Sequence, residues 1–550
     1  MLIDRGLLSA AQVEEAVLQQ AASGKRLGVL LVELGALDER DLYEVLSLQL
    51  SIPLADLRNE QPQAEAVAEI AEEVARSAVA IPIRLTDGRL VIAVADPLDE
   101  AVRAKVTKAG KNNVDLVLAP PSDIRRAIDS AYRALAGVGR MIDAFEVTES
   151  LRRAVTPSKG SAPDDAPVVR VLNLLITQAL RDRASDVHIE PQDGRIRVRY
   201  RIDGALHDVL ALPDTIGPAL TSRLKVMAGM NIVERRRPQD GQIATEVDGR
   251  ALDIRVNTTP TIWGEKAVLR LLDRRRSLLQ LSELGMPADT QQEYDRLVRA
   301  PFGMIICAGP TGSGKTTTLY ATLAQINQSE CNITTIEDPV EYVFPSINQI
   351  QINEQAGISF SDGLRAILRQ DPDVILVGEI RDVETARLAV QSSLTGHLVL
   401  SSLHATDSAS ALHRFVDMGI ESFLIASSVS GVVSQRLVRR ICSSCRARYK
   451  PTPEELAFYE NAGGPPKTEF WHGEGCNFCA RTGYLERVGV YELLTLTEET
   501  KRLLVANASH DELRAAARAN GMRSMLDEGI GLVANDLSTI SEIMRSIYVL

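Results

Sequence analysis

The stretch Gly309-Pro-Thr-Gly-Ser-Gly-Lys-Thr316 spells G-x-x-x-x-G-K-[ST], a loop that works in one setting only, between a buried strand and a helix opening on its last residues. Met304-Ile-Ile-Cys-Ala308 before it is a short apolar run suited to the strand. Thr317-Thr-Leu-Tyr-Ala-Thr-Leu-Ala324 behind it carries apolar residues at helical spacing. In that setting the glycines let backbone N–H groups turn inward around phosphate oxygens, and the helix N-terminus adds partial positive charge. Lys315 is placed to reach the terminal phosphates of ATP, and the Thr316 hydroxyl to ligate Mg²⁺. Gly309, Pro310, Thr311, Gly312, Ser313, Gly314, Lys315, Thr316 and Thr317 are therefore the candidate nucleotide-binding residues. A chance glycine-rich turn is the competing reading, and it gives no reason for a lysine so placed with no anion to neutralise.

Two acids and a histidine follow at the ends of further strand-like runs. Ile333-Thr-Thr-Ile-Glu337 is β-branched and ends in an acid, and Asp373-Val-Ile-Leu-Val-Gly-Glu379 is apolar and does the same, the layout of a Walker B segment. One carboxylate can organise Mg²⁺ and its waters while the other deprotonates the attacking water. Glu337 is preferred as the base and Glu379 as the metal organiser, but the sequence leaves the reverse open. Leu398-Val-Leu-Ser-Ser-Leu403 delivers His404, with His397 at its start. A lone histidine is most often structural, yet one that follows a strand parallel to two acid-bearing strands is a candidate γ-phosphate sensor. Further on, Cys442, Cys445, Cys476 and Cys479 form C-x₂-C-x₃₀-C-x₂-C, which matches a closed tetrahedral Zn²⁺ site of structural type. Two disulfides are the alternative, disfavoured by a cytosolic setting.

That setting is read from the rest of the chain. No apolar run approaches the roughly 18 to 20 residues needed to span a bilayer, and the N-terminus lacks signal-peptide order. A cytoplasmic protein, touching a membrane only through partners, is the expectation. The 550 residues carry 61 Lys and Arg against 73 Asp and Glu, a net charge of -12 that offers no general footprint for nucleic acid. Cys307 and Cys331 read as lone buried thiols.

An internal repeat occupies 1–62, visible when Leu2-Ile3, Gly6, Leu8, Val13, Val17 and Gln20 are set against Leu31-Val32, Gly35, Leu37, Leu42, Leu46 and Gln49. Ser9 with Gln12 and Asp38 with Asp41 are candidate helix-capping pairs. Residues 63–136 change to strand-like runs joined at Asp87-Gly88, with helices around 99–109 and 122–135, a small α/β module. Residues 137–167 are rich in Gly, Ser, Pro, Ala and Asp and read as a flexible linker. A helix at 168–183 follows, and then Arg195-Ile-Arg-Val-Arg-Tyr-Arg201, whose alternation puts four arginines on one strand face, expected to meet phosphate or an acidic partner. Residues 486–550 read as amphipathic helices.

Together these motifs resemble the secretion-ATPase family of type II secretion and type IV pilus assembly (GspE/PilB-like), across essentially the whole chain. The resemblance is carried by the P-loop at 309–318, the aspartate box at 333–341, the Walker B segment at 375–382, the histidine box at 395–407 and the tetracysteine element at 442–479. It implies an α/β fold: a RecA-like motor over 280–550, a PAS-like α+β domain over 168–275 and an N-terminal helical and α+β regulatory domain. It also implies a homo-hexamer, docked on an inner-membrane platform and cytoplasmic adaptor proteins, that hydrolyses ATP to drive pilin or pseudopilin assembly. Arginines of the PAS-like domain then reach the nucleotide, with Arg201 and Arg223 favoured over Arg255 and Arg270. Relatives that retract pili usually lack the zinc element and the long N-terminal region, which favours an assembly or secretion motor.

The second repeat copy resembles the family's cyclic di-GMP motif, with Arg26, Gly28 and Gln49 as candidate contacts; a plain helical scaffold is the other reading. Met1 aligns with Leu30, so counterparts of Arg26 to Val29 would precede the first residue, and weak or no cyclic di-GMP binding is expected of the chain as written. A RecA-like ATPase acting on nucleic acid shares the P-loop, and the acidic balance and the lack of a recognisable nucleic-acid module stand against it.

Overall fold

The computed structural model describes residues 2–3, 5–23, 26–86, 88–110, 113–132, 167–273 and 279–547. The linker expected at 137–167, save Pro167, lies outside these residues, as does Asp87. Contacts divide the chain into two units. One is Met1–Leu272 with Ser443–Cys445 and Glu474–Gly483, the other Asp273–Cys442 with Arg446–Gly473 and Tyr484–Leu550.

The first unit opens with helices Ala10–Ser23, Leu27–Glu33 and Glu39–Leu50, whose Leu8, Ala16, Leu31, Leu37 and Leu42 bury together. The Ser9 and Gln12 cap forms in both directions, at 2.9 and 3.4 Å, whereas Asp38 accepts from the Arg40 N–H rather than from Asp41. Strands β1 (Ala80–Thr86), β2 (Arg89–Val94) and β3 (Val114–Leu118) then form a small sheet, antiparallel and then parallel.

A second sheet contains β4 (Asp186–Gln192), β5 (Arg195–Ile202), β6 (Ala205–Pro213), β7 (Gln239–Val247), β8 (Arg250–Thr261) and β9 (Gly264–Asp273), in the order β6-β5-β4-β9-β8-β7. Helices Pro167–Arg181 and Gly217–Met227 cover one face, and Leu172, Leu175, Leu220 and Leu224 bury against Val198 and Tyr200. The β5 alternation is as expected, with Ile196, Val198, Tyr200 and Ile202 inward. Its arginine face, however, is not a free basic surface. The antiparallel register sets acids opposite it, so Arg197 pairs with Asp208 at 2.6 Å, Arg199 with Glu190 at 2.8 Å and Arg201 with Asp186 at 3.5 Å.

The second unit is built on β10 (Gly303–Ala308), β11 (Ile333–Glu337), β12 (Asn348–Gln351), β13 (Val374–Val377), β14 (Leu398–Leu403), β15 (Val429–Ile441) and a late strand, Tyr484–Thr495. The sheet order is β12-β11-β13-β14-β10-β15 and then the late strand, and every pairing is parallel except the last. Helices cross over between the parallel strands, so both sheet faces are buried: Met304 and Ile306 face one apolar cluster, Ile305 and Cys307 the other. A separate two-stranded antiparallel sheet pairs β16 (Arg446–Tyr449) with β17 (Phe470–Gly473), with helix Pro453–Asn461 between them in the chain. The late strand, β18, corrects the all-helical expectation for 486–550, and the helices begin only at Glu498. Periodicity hides it because Val490, Tyr491, Glu492 and Leu494 are buried on both faces. Cys331, expected to be buried like Cys307, is only half-buried.

Candidate nucleotide site and metal centre

Parallel strands end at one edge of their sheet, and here the order β11-β13-β14-β10 puts four functional ends side by side. In that order they carry Glu337, Glu379, His404 and the P-loop.

Two loop glycines could not be replaced. Gly309 has φ 150°, and a Cβ there would lie 2.5 Å from Ser313 Oγ and 2.7 Å from the Gln435 carbonyl oxygen. Gly314 has φ 93°, and a Cβ there would meet Gln435 Nε2 at 2.9 Å. Helix Lys315–Ile326 starts on this glycine with no side-chain cap and no acid in its first turn, so its first N–H groups remain available to an anion. Ser313 Oγ is buried beside them without a hydrogen-bond partner. This cradle fits a nucleotide's phosphates. Lys315 Nζ lies inside it, donating to the carbonyls of Gly309 and Pro310 at 2.9 Å each. Burial pulls the Lys315 ammonium below its usual range, and the nearby Glu379 charge acts the other way.

Sequence reasoning missed Gln435, which holds this loop in shape. It is buried on β15, gives its amide N–H to the Ser313 carbonyl at 2.7 Å, and accepts the Thr318 hydroxyl at 2.9 Å. A lone amide in an otherwise apolar strand run was the available signal.

Glu379 pairs with Arg381 at 2.5 Å, and His404 Nε2 stands 3.8 Å from it. Burial lowers the His404 pKa below its ordinary value and Lys315 adds to the effect, while Glu379 opposes it, so the ring is held toward its neutral form. Glu337 is more enclosed, at 3% exposure, and accepts hydrogen bonds from Tyr320, Thr335 and Gln349. His397 lies at the far end of β14, with Nδ1 2.8 Å from the Ser392 carbonyl, and has a turn-forming place.

Cys442, Cys445, Cys476 and Cys479 are all buried, with sulfurs within 4.8 Å of one another. The Cys445 and Cys476 sulfurs each stand 3.8 Å from Cys479 Sγ. That is far beyond a disulfide's about 2.05 Å and close to the edge of a tetrahedron with Zn–S bonds of about 2.3 Å. N–H groups of Gly475, Cys476 and Gly483 point at the sulfurs at 3.1 to 3.3 Å, which favours thiolates. The donor set fits Zn²⁺.

Of the candidate arginines, Arg201 and Arg270 share Asp186, at 3.5 and 3.2 Å. Arg223 and Arg255 also lie in the second sheet's domain, on helix Gly217–Met227 and on β8. Arg26 is exposed and paired to Asp96, and Gln49 is exposed. Gly28 lies where a Cβ would meet Leu42 Cδ1 at 2.9 Å, a close approach of two helices.

The family described as Type II/IV secretion system protein matches residues 161–545, and the MshEN domain matches 50–138. Type II secretion system protein HxcR of Pseudomonas aeruginosa is 51% identical over 420 residues, 76% of this chain and 84% of that protein. Type IV pilus assembly ATPase PilB of Myxococcus xanthus is 37% identical over 554 residues, 99% of this chain and 97% of that protein. Among solved structures, the Yersinia pseudotuberculosis ATPase DotB shares the fold at TM-score 0.52 and 18% identity, covering 71% of this chain and 95% of its own.

Proposed function

The chain belongs to the Type II/IV secretion system protein family, and on that premise we propose that it hydrolyses ATP as a hexameric ring to drive pseudopilin or pilin assembly. The observation that carries the chemistry is the juxtaposition of the Lys315 cradle, Glu379 and His404 along one edge of a parallel sheet, with His404 3.8 Å from Glu379. The P-loop amides and Lys315 hold the phosphates. Thr316 offers its hydroxyl to Mg²⁺, and Glu379 orders the waters around that ion. Bound Mg²⁺ supplies neutralisation of charge on the β- and γ-phosphate oxygens. Glu337 takes the proton of the attacking water, and His404, kept neutral, hydrogen-bonds the γ-phosphate and reports its presence.

Arg201 and Arg223 supply positive charge to the γ-phosphate from the PAS-like domain. The four cysteines hold one structural Zn²⁺ per chain. The MshEN match over residues 50–138 supports a regulatory N-terminal module. Arg26, Gly28 and Gln49 lie outside that match, and weak or no cyclic di-GMP binding is proposed for them. An inner-membrane platform and cytoplasmic adaptors are the partners that fit such a motor, with the chain cytoplasmic and peripheral to the membrane through them. No helix among the described residues is long and apolar enough to cross a membrane.

The test is Mg²⁺-dependent ATP turnover by the full-length protein, lost in Lys315→Ala and indifferent to added single-stranded DNA. Turnover that requires DNA, with the steep salt dependence of phosphate contacts, would overturn the reading in favour of a nucleic-acid motor.

A further inference from the structure

We propose that Tyr320 is a positioning residue for Glu337: its phenol, carried on the helix that opens with the P-loop lysine, holds the carboxylate in the orientation from which it takes a proton. This rests on the reading of Glu337 as the base. Both carboxylate oxygens are engaged. Oε1 accepts the Thr335 hydroxyl at 2.6 Å and the Gln349 amide N–H at 3.2 Å, and Oε2 accepts the Tyr320 hydroxyl. A carboxylate offers about four lone-pair sites, so three donors leave one, on Oε2, the oxygen that Tyr320 orients. The donors come from three elements, the P-loop helix, β11 and β12, which together fix the plane of the group.

The direction of the phenol proton is also fixed. Tyr320's oxygen accepts the Glu341 N–H at 3.1 Å, which turns its own O–H toward Glu337. Burial first, and then the Glu337 charge, hold the phenol well above its usual range, so it remains a donor. Tyr342 and Phe344 clamp the ring edge-on, with centroids 6.0 and 5.4 Å away. A phenylalanine would keep those aromatic contacts, and only the hydroxyl addresses the base. Tyr320 lies four residues beyond Thr316, on the same face of one helix and about 6 Å along its axis. One rigid element thus carries both the hydroxyl meant for Mg²⁺ and the phenol that sets the base.

The experiment is steady-state ATP hydrolysis by full-length Tyr320→Phe, alone and combined with Glu337→Gln. Tyr320→Phe should lower kcat on the order of tenfold while KM for ATP stays within about twofold. Added to Glu337→Gln it should cost nothing further, because it acts through the missing carboxylate. Thr335→Val, which removes a donor from the other oxygen, should show the same pattern and decides the matter if Tyr320→Phe does not assemble. Wild-type kcat in both variants, an equal loss with and without Glu337, or a rise in KM in place of the kcat loss would overturn the proposal. Full turnover in Glu337→Gln alone would instead sink the base assignment, so the two failures are distinguishable.

Discussion

Glu337 and Glu379 stand at the ends of neighbouring strands, yet in different surroundings. Glu337 is nearly inaccessible and surrounded by hydrogen-bond donors, while Glu379 lies near the charges of Arg381 and Lys315 and beside the His404 imidazole. Glu337→Gln and Glu379→Gln should each keep ATP binding, since the Lys315 cradle is untouched, and lose turnover by on the order of 10² or more. Equilibrium nucleotide binding beside a hydrolysis assay checks both halves, and wild-type turnover in both variants would sink the catalytic assignment. Gly314→Ala should behave oppositely and lose nucleotide affinity, because φ 93° and the 2.9 Å approach to Gln435 Nε2 leave a methyl group no place. Normal ATP affinity in that variant would contradict the cradle geometry.

Among elements, helix Ser408–Asp417 begins directly after the histidine box, and its cap Asp407 is hydrogen-bonded to His510 Nε2 at 2.8 Å. Burial opposes charge on both groups. For Asp407 the Ser410 N–H and His510 prevail and hold it at about 2, and for His510 the Asp407 carboxylate prevails and raises the imidazole above its ordinary value. The raised histidine contributes stability fully below about pH 6.5 and loses it as pH rises through its folded value. The depressed Asp407 contributes above about pH 3.9 and loses it as pH falls. A His510→Gln variant should therefore melt below wild type by a margin that is widest between about pH 4 and 6.5 and narrows toward pH 9. A margin independent of pH would show that the pair is only a packing contact. The cysteine knuckles are the second element with a clear test. Cys442→Ser with Cys445→Ser should lose one Zn²⁺ per chain by metal analysis and lower Tm, with ATP affinity kept. Freshly purified wild type without zinc would remove the site from consideration.

At the scale of the whole molecule, the proposal that arginines of the six-stranded-sheet domain serve the motor's chemistry has its own test. The ion-pair ladder on β5 means that any arginine used there must leave a carboxylate, Asp186 in the case of Arg201. In the full-length protein, Arg201→Ala and Arg223→Ala should cut turnover by on the order of 10² or more while nucleotide binding persists, ahead of any effect at Arg255 or Arg270. Losses confined to Arg255 and Arg270 would move the role to those residues.

The sequence alone specifies the P-loop, the acid-ended strands, His404 and the paired cysteines as candidates, because phosphate, Mg²⁺ and Zn²⁺ each demand particular residue types at short, fixed spacings. It also specifies the alternation over Arg195–Arg201 in β5, since one face must be buried. What it could not determine was which strands become neighbours and what stands across from each side chain. Strand order places Glu337, Glu379 and His404 at adjacent ends, antiparallel register pairs the β5 arginines with acids, and a strand buried on both faces carries no period-2 signal to set it apart from helix. Gln435 lies 122 residues after Ser313, whose carbonyl it binds, and Tyr320 lies 17 residues before Glu337. Their partners are chosen by ladder register and sheet closure, which depend on the whole core and leave no trace in local periodicity.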